Sequence, residues 1–60
     1  MINELGITYR ENNQIPEAIE TFKKALEINP NNLPSINELG ITYRENNQIP
    51  EAIETFKKSI

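Results

Sequence analysis

The chain has 60 residues, and a domain of this size hides only about 60% of the surface that its unfolded chain exposes. It contains no Cys, His or Asp, which excludes disulfides, the commonest zinc ligands and the usual calcium loops. The net charge of −3 argues against a nucleic-acid surface, and no apolar run approaches the about 20 residues that cross a bilayer. No charged segment followed by an apolar one opens the chain, so we expect no signal peptide. We therefore expect a soluble, cytoplasmic chain with no cofactor, no metal, no nucleic-acid partner and no membrane partner.

An internal repeat dominates the sequence. Residues 2–24 and 36–58 are identical at an offset of 34 residues, and the two copies diverge only afterwards, where Ala25-Leu26 becomes Ser59-Ile60. Natural repeats drift, so this identity indicates a very recent duplication or deliberate construction from one unit, and it favours a designed protein. We divide the chain into a first repeat, residues 1–34, and a second, C-terminally truncated repeat, residues 35–60.

Four amphipathic helices are predicted, two in each repeat. The first spans about residues 2–13, where Ile2, Leu5 and Tyr9 recur on one face. The second spans about residues 16–28 and carries a broad apolar stripe: Ile15, Ala18, Ile19, Phe22, Ala25 and Leu26. The third and fourth, about residues 35–47 and 50–60, repeat these two patterns, and no strand-like alternation competes. The fold class is therefore all-α.

Pro, Asn and Gly mark the helix ends and one close contact. Pro16 and Pro50 suit the first turn of a helix, where a missing N–H costs nothing. Asn12-Asn13 and Asn46-Asn47 stand where a helix C-terminus needs a left-handed residue. Gly6 and Gly40 lie inside helices, where Gly costs about 1 kcal/mol relative to Ala, so we expect that they let the partner helix approach closely.

The spacing of these residues resembles the tetratricopeptide repeat, a 34-residue helix–turn–helix unit. The matching positions in the first copy are Leu5, Gly6, Tyr9, Ala18, Phe22, Ala25 and Pro30. The second copy matches at Leu39, Gly40, Tyr43, Ala52 and Phe56. Ile2 and Ile36 replace the large residue that often opens the repeat, Asn13 and Asn47 replace the inter-helix Gly, and Ser59 replaces the third small residue. The resemblance implies two helix–turn–helix hairpins in an α-solenoid, a right-handed superhelix, and a concave groove that holds a peptide.

A second stripe on the first helix of each repeat faces away from the apolar core. Ile7 lies about 200° around the helix from Leu5, so the two residues cannot share one face. We predict that this stripe binds a peptide or partner protein, because Asn, Ile and Arg offer backbone hydrogen bonds, apolar contact and a fork for carboxylates. The predicted partner-binding residues are Asn3, Ile7, Arg10, Glu11, Asn37, Ile41, Arg44 and Glu45. The alternative is an idle, solvated surface, and the lack of a Lys on this stripe argues against a clamp for the carboxylate tail of heat-shock chaperones.

Catalysis is not expected. The candidate groups are hydroxyls and Glu carboxylates, and phosphate-loop, dinucleotide and nucleophile-elbow patterns are all absent. Glu17 and Glu20 are three residues apart on one helix, but surface charge near a helix N-terminus explains them more simply.

Self-association is the competing function. About three repeats are normally needed to bury a continuous core, and this chain has two. We therefore expect a homo-oligomer, with a dimer favoured, or alternatively a marginal monomer. This function would make the chain a structural module with no natural ligand. The predicted self-association residues lie on the fourth helix: Ile49, Ile53, Phe56 and Ile60.

Overall fold

The computed structural model of the chain describes residues 2–59. Its four helices are α1 (Ile2–Glu11), α2 (Ile15–Ile28), α3 (Leu33–Glu45) and α4 (Ile49–Lys57). No strand occurs within residues 2–59, so the prediction of an all-α chain of two helical hairpins is confirmed. The right-handed superhelix stays a prediction, because two repeats are too few to trace its path.

Each hairpin turns on an Asn in the left-handed conformation, as the sequence predicts. Asn13 has a φ of 62° and Asn47 a φ of 61°. In the first turn the N–H of Gln14 donates to the carbonyl of Tyr9 over 2.8 Å, and the N–H of Asn13 donates to Arg10 over 2.9 Å. These two bonds form a Schellman motif, which satisfies carbonyl groups in the last turn of α1.

The helices differ from the prediction at some of their ends. α1 and α3 end at Glu11 and Glu45, before the predicted ends, and α2 begins at Ile15, before the predicted start. α3 begins at Leu33, two residues before the predicted start, because Asn32 caps the helix by accepting a hydrogen bond from the N–H of Ser35 over 3.2 Å. α4 ends at Lys57, where its counterpart α2 continues. The hydroxyl of Ser59 donates to the carbonyl of Phe56 over 2.8 Å, which takes up that acceptor and favours a tight final turn.

The two hairpins share one construction at their centres. A Cβ built on Gly6 would stand 2.6 Å from Cε1 of Phe22, and one built on Gly40 would stand 2.6 Å from Cε1 of Phe56. Each Phe ring therefore lies on the backbone of the facing helix, and a side chain at either Gly would force the ring to move. The packing reason predicted for the two glycines is confirmed.

The core lies at the junction between the hairpins. Besides the pairing within each hairpin, α2 packs against α3, and α1 also reaches α3. The buried apolar cluster therefore draws on both repeats, and its members are Ala18, Phe22, Leu39, Tyr43 and Ala52. Neither hairpin holds this cluster alone, so the two repeats form one packed unit.

Candidate interaction surface

The predicted binding stripe lies on α1 and α3, but the two repeats use it differently. In the first repeat, Oδ1 of Asn3 accepts a hydrogen bond from the hydroxyl of Ser35 over 3.1 Å. Ile7 is half-buried and packs against the core cluster, so the expectation that it faces away from the core is wrong. Both side chains therefore contribute to the contact between the repeats.

Arg10 is the centre of that contact. Its Nη1 lies 2.6 Å from Oε1 of Glu38, and it donates to the hydroxyl of Thr42 over 3.3 Å and to the Glu38 carbonyl over 3.4 Å. Its Nε lies 3.9 Å from a carboxylate oxygen of Glu45. Only 17% of the Arg10 side chain is exposed. Its guanidinium thus connects α1 to three residues of α3.

The carboxylate of Glu38 depends on this guanidinium. Its Oε1 is buried, and no hydrogen bond of good geometry reaches that atom from the described residues. Arg10 Nη1 lies 2.6 Å from this oxygen, so the buried negative charge is stabilised by the positive charge of Arg10 more than by an aligned hydrogen bond. Loss of Arg10 would leave a buried carboxylate oxygen without compensation.

Asn3 and Arg10 both contact the second repeat, and their predicted binding to a partner stays a prediction. The residues that receive them were missed by the sequence reasoning: Ser35, Glu38 and Thr42. These three positions recur on one face of α3, but polar residues at helical spacing usually indicate a solvated face. The available signal was the recurrence of a second row of polar residues beside the predicted stripe, between that stripe and the apolar face.

In the second repeat the same stripe stays open. Asn37, Arg44 and Glu45 are exposed, and Ile41 is half-buried. Glu11 at the end of α1 is exposed as well. The structure therefore leaves accessible one cation, two carboxylates, one amide and part of an apolar side chain along α1 and α3.

The predicted self-association residues fall into three groups. Ile49 and Ile53 are 43% and 52% exposed on α4. Phe56 is half-buried over Gly40, so it belongs to the packing of its own hairpin as much as to the surface. Ile60 lies outside the described residues. Phe56 is therefore a poor probe of association, because its loss also damages the fold of the hairpin.

The two carboxylates considered for catalysis, Glu17 and Glu20, line a shallow cleft of about 310 Å³ beside Tyr9. The second repeat has an equivalent cleft of about 320 Å³. Within residues 2–59, no group of three or more metal-ligating side chains comes together. No helix in that part of the chain is long and apolar enough to cross a membrane.

Comparison with known families agrees with this architecture. One tetratricopeptide repeat model matches residues 2–32, and a second matches residues 21–54. The second match covers part of α2, all of α3 and the start of α4. It therefore includes residues from both sides of the contact between the hairpins. No curated protein matches the chain. Because the first match alone covers more than half of the sequence, this chain belongs to the tetratricopeptide repeat family, a non-catalytic family of protein-interaction repeats.

Proposed function

We propose that the chain binds a partner protein by holding an extended or helical segment of it along α1 and α3. The observation that carries this proposal is the exposure of Asn37, Arg44 and Glu45 on one side of α3, although Asn3 and Arg10 are engaged in the first repeat. Membership in a family of protein-interaction repeats supports it. The proposal narrows the predicted stripe to its second-repeat half together with Glu11.

The open groups favour a peptide with charges of both signs. The amide of Asn37 can donate to and accept from a peptide backbone, while Arg44 can fork onto a carboxylate. Glu11 and Glu45 would attract Lys or Arg, and the accessible part of Ile41 offers an apolar contact. Arg10 is not expected to bind a ligand carboxylate, because the carboxylate of Glu38 already balances its positive charge.

The test is selection of a random peptide library displayed on phage against the 60-residue chain. The affinity of an enriched synthetic peptide is then measured by fluorescence anisotropy, with the chain dilute enough to be a single-chain species. Asn37→Ala and Glu45→Gln should each weaken binding about tenfold, which corresponds to about 1.4 kcal/mol. Lys24→Ala, an exposed change on α2, is the matched control and should leave the affinity unchanged.

Two results would overturn this proposal. Enriched peptides that ignore Asn37→Ala and Glu45→Gln would place the site elsewhere on the chain. A library that yields no enriched peptide would mean that the stripe is an idle surface.

Self-association is a second candidate function, favoured by the exposure of Ile49 and Ile53 on α4. Apolar side chains grouped on one helix face commonly mark an interface. This function needs no peptide ligand, and it uses surfaces that share Arg44 and Glu11 with the proposed peptide site.

A further inference from the structure

Identical residues have different exposures in the two repeats, and the difference maps the contact between them. Leu39 is 5% exposed, whereas its counterpart Leu5 is 48% exposed. Ile36 is 2% exposed, whereas Ile2 is 39% exposed. α3 is covered by the preceding hairpin, whereas no helix among residues 2–59 covers α1 in the same way. We call the exposed side of α1 the leading surface, and it comprises Ile2, Glu4, Leu5 and Thr8.

The opposite end of the chain shows the reverse difference. Ile19 is half-buried and Phe22 is fully buried, because α3 lies beside α2. Their counterparts on α4 are more open, since Ile53 is exposed and Phe56 is only half-buried. We call this side of the second repeat the trailing surface, and it comprises Arg44, Ile49, Ile53 and Phe56.

These two surfaces are copies of the two sides of one interface that the structure already contains. The trailing surface repeats residues of the first hairpin: Arg10, Ile15, Ile19 and Phe22. Of these, Arg10 contacts α3 directly, and Ile19 and Phe22 pack in the cluster that contains Leu39. The leading surface repeats the residues of α3 that receive them: Ile36, Glu38, Leu39 and Thr42. At these positions the two open surfaces carry the same side chains as the two sides of the internal interface, so there they match in charge and in apolar character. The match does not extend to the last turn of α2, because α4 ends at Lys57 whereas α2 continues to Ile28.

We propose that a second copy of this chain stacks head to tail, with its leading surface on the trailing surface of the first. The internal contact fixes the register. As Arg10 contacts Glu38, Thr42 and Glu45 within the chain, Arg44 contacts the corresponding residues of the next copy: Glu4, Thr8 and Glu11. This inference rests on self-association, the second candidate function. It needs no bound peptide, although Arg44 and Glu11 belong to both surfaces.

The contact between chains is weaker than the one within the chain. Separate chains lose translational and rotational freedom on association, a loss that the covalent link between the repeats avoids. The bond between Asn3 and Ser35 has no equivalent, because Met1 stands at the position that corresponds to Ser35. Glu4 also makes an interaction within its own chain, which the new contact must share or replace.

Head-to-tail stacking predicts open-ended growth. Every added chain presents the same trailing surface again, so the assembly has no natural end. The sequence reasoning favours a dimer without assigning its symmetry, and a closed two-fold dimer would instead pair like with like through α4. A two-fold pair of that kind would leave the leading surface, including Glu4, outside the contact. Only the head-to-tail arrangement therefore requires the charge pair between Arg44 and Glu4.

The test is a charge exchange followed by analytical ultracentrifugation of the 60-residue chain from about 10 µM to about 1 mM, the weak range expected for this contact. The unmodified chain should show an average mass that rises steadily without stopping at two chains. Arg44→Glu and Glu4→Lys alone should each weaken association at least tenfold. An equimolar mixture should associate again, because Glu at position 44 then meets Lys at position 4 and the original pair forms at alternate contacts.

Controls separate association from folding and from peptide binding. Lys24→Glu changes the net charge as much as Arg44→Glu does and should associate like the unmodified chain. Helicity by circular dichroism identifies a variant that fails to fold, and Ile53→Lys then offers a second disruption at an exposed site. Glu4→Lys should bind a selected peptide normally, so the loss of one activity is distinguishable from the loss of the other.

Three results would overturn the proposal. These are a single-chain species at all concentrations, a mass that stops at two chains, and a mixture of the two charge variants that associates no better than either alone.

Discussion

The ring of Phe22 lies directly on Gly6, at a distance that leaves no room for a Cβ. A methyl group on Gly6 would stand 2.6 Å from Cε1 of Phe22, and the equivalent distance between Gly40 and Phe56 is also 2.6 Å. The surroundings of the two rings differ, however. Phe22, on α2, is fully buried between α1 and α3. Phe56, on α4, is only half-buried, because no further helix among residues 2–59 covers its other side.

We expect Gly6→Ala to destabilise the chain more than Gly40→Ala. Ala gains about 1 kcal/mol of helix propensity at either position, but overpacking costs about 1–3 kcal/mol where the neighbour cannot move. The Phe22 ring is enclosed, so the overpacking cost should exceed the gain, and Gly6→Ala should lower the free energy of unfolding by up to about 2 kcal/mol. Phe56 can shift towards solvent, so Gly40→Ala should be close to neutral. Urea denaturation of dilute samples followed by circular dichroism measures both.

The two variants form a matched pair, because the local sequences around Gly6 and Gly40 are the same. Equal losses of stability would show that the open side of Phe56 gives it no freedom to move.

The sequence predicted the parts of this fold that depend on local geometry. The close approach at Gly6 follows from the cost of Gly inside a helix, and the left-handed turn at Asn13 follows from the tolerance of Asn for that conformation. Both features are set within one hairpin and need no knowledge of the second repeat.

The contact between Arg10 and Glu38 could not be predicted in the same way. It joins residues 28 positions apart, and it depends on the stagger of α1 against α3. Helical periodicity assigns residues to a face, but it does not show which face meets which neighbour. Identical stripes also have different environments in the two repeats, and no local pattern could separate Arg10 from Arg44.

Leu39 and Leu5 should respond differently to truncation. Leu39 is 5% exposed within the core cluster, so Leu39→Ala should lower the free energy of unfolding by about 2–4 kcal/mol. Leu5 is 48% exposed, and Leu5→Ala should cost less than about 1 kcal/mol in a dilute, single-chain sample. Denaturant unfolding at low concentration measures the difference, and equal losses would contradict the assigned stacking of the repeats.

The left-handed Asn13 provides a test of the turn. Asn13→Gly should stabilise the chain by a few tenths of a kcal/mol or be neutral, because Gly adopts a φ of 62° without strain. Asn13→Ala should destabilise it by about 1 kcal/mol, because Ala tolerates that φ poorly. Thermal unfolding by circular dichroism measures both variants. A more stable Ala variant would contradict the left-handed turn.

Arg10 and Arg44 test whether one side chain has two different roles. Arg10→Gln removes the guanidinium that compensates the buried Oε1 of Glu38, so we expect it to lower the free energy of unfolding by roughly 1–2 kcal/mol. Arg44→Gln changes an exposed residue and should alter the stability of dilute samples by less than about 0.5 kcal/mol. Both values come from urea unfolding at one salt concentration.

A double-mutant cycle then identifies the partner of Arg10. If Arg10 acts through Glu38, adding Glu38→Gln to Arg10→Gln should cost less than Glu38→Gln costs in the unmodified chain, because the orphaned charge is removed together with its partner. The same cycle at Arg44 and Glu4 should give no coupling in dilute samples, since those two residues are expected to meet only between chains. Coupling between Arg44 and Glu4 in a single-chain sample would show that they interact within one chain, and it would remove the basis for the head-to-tail register.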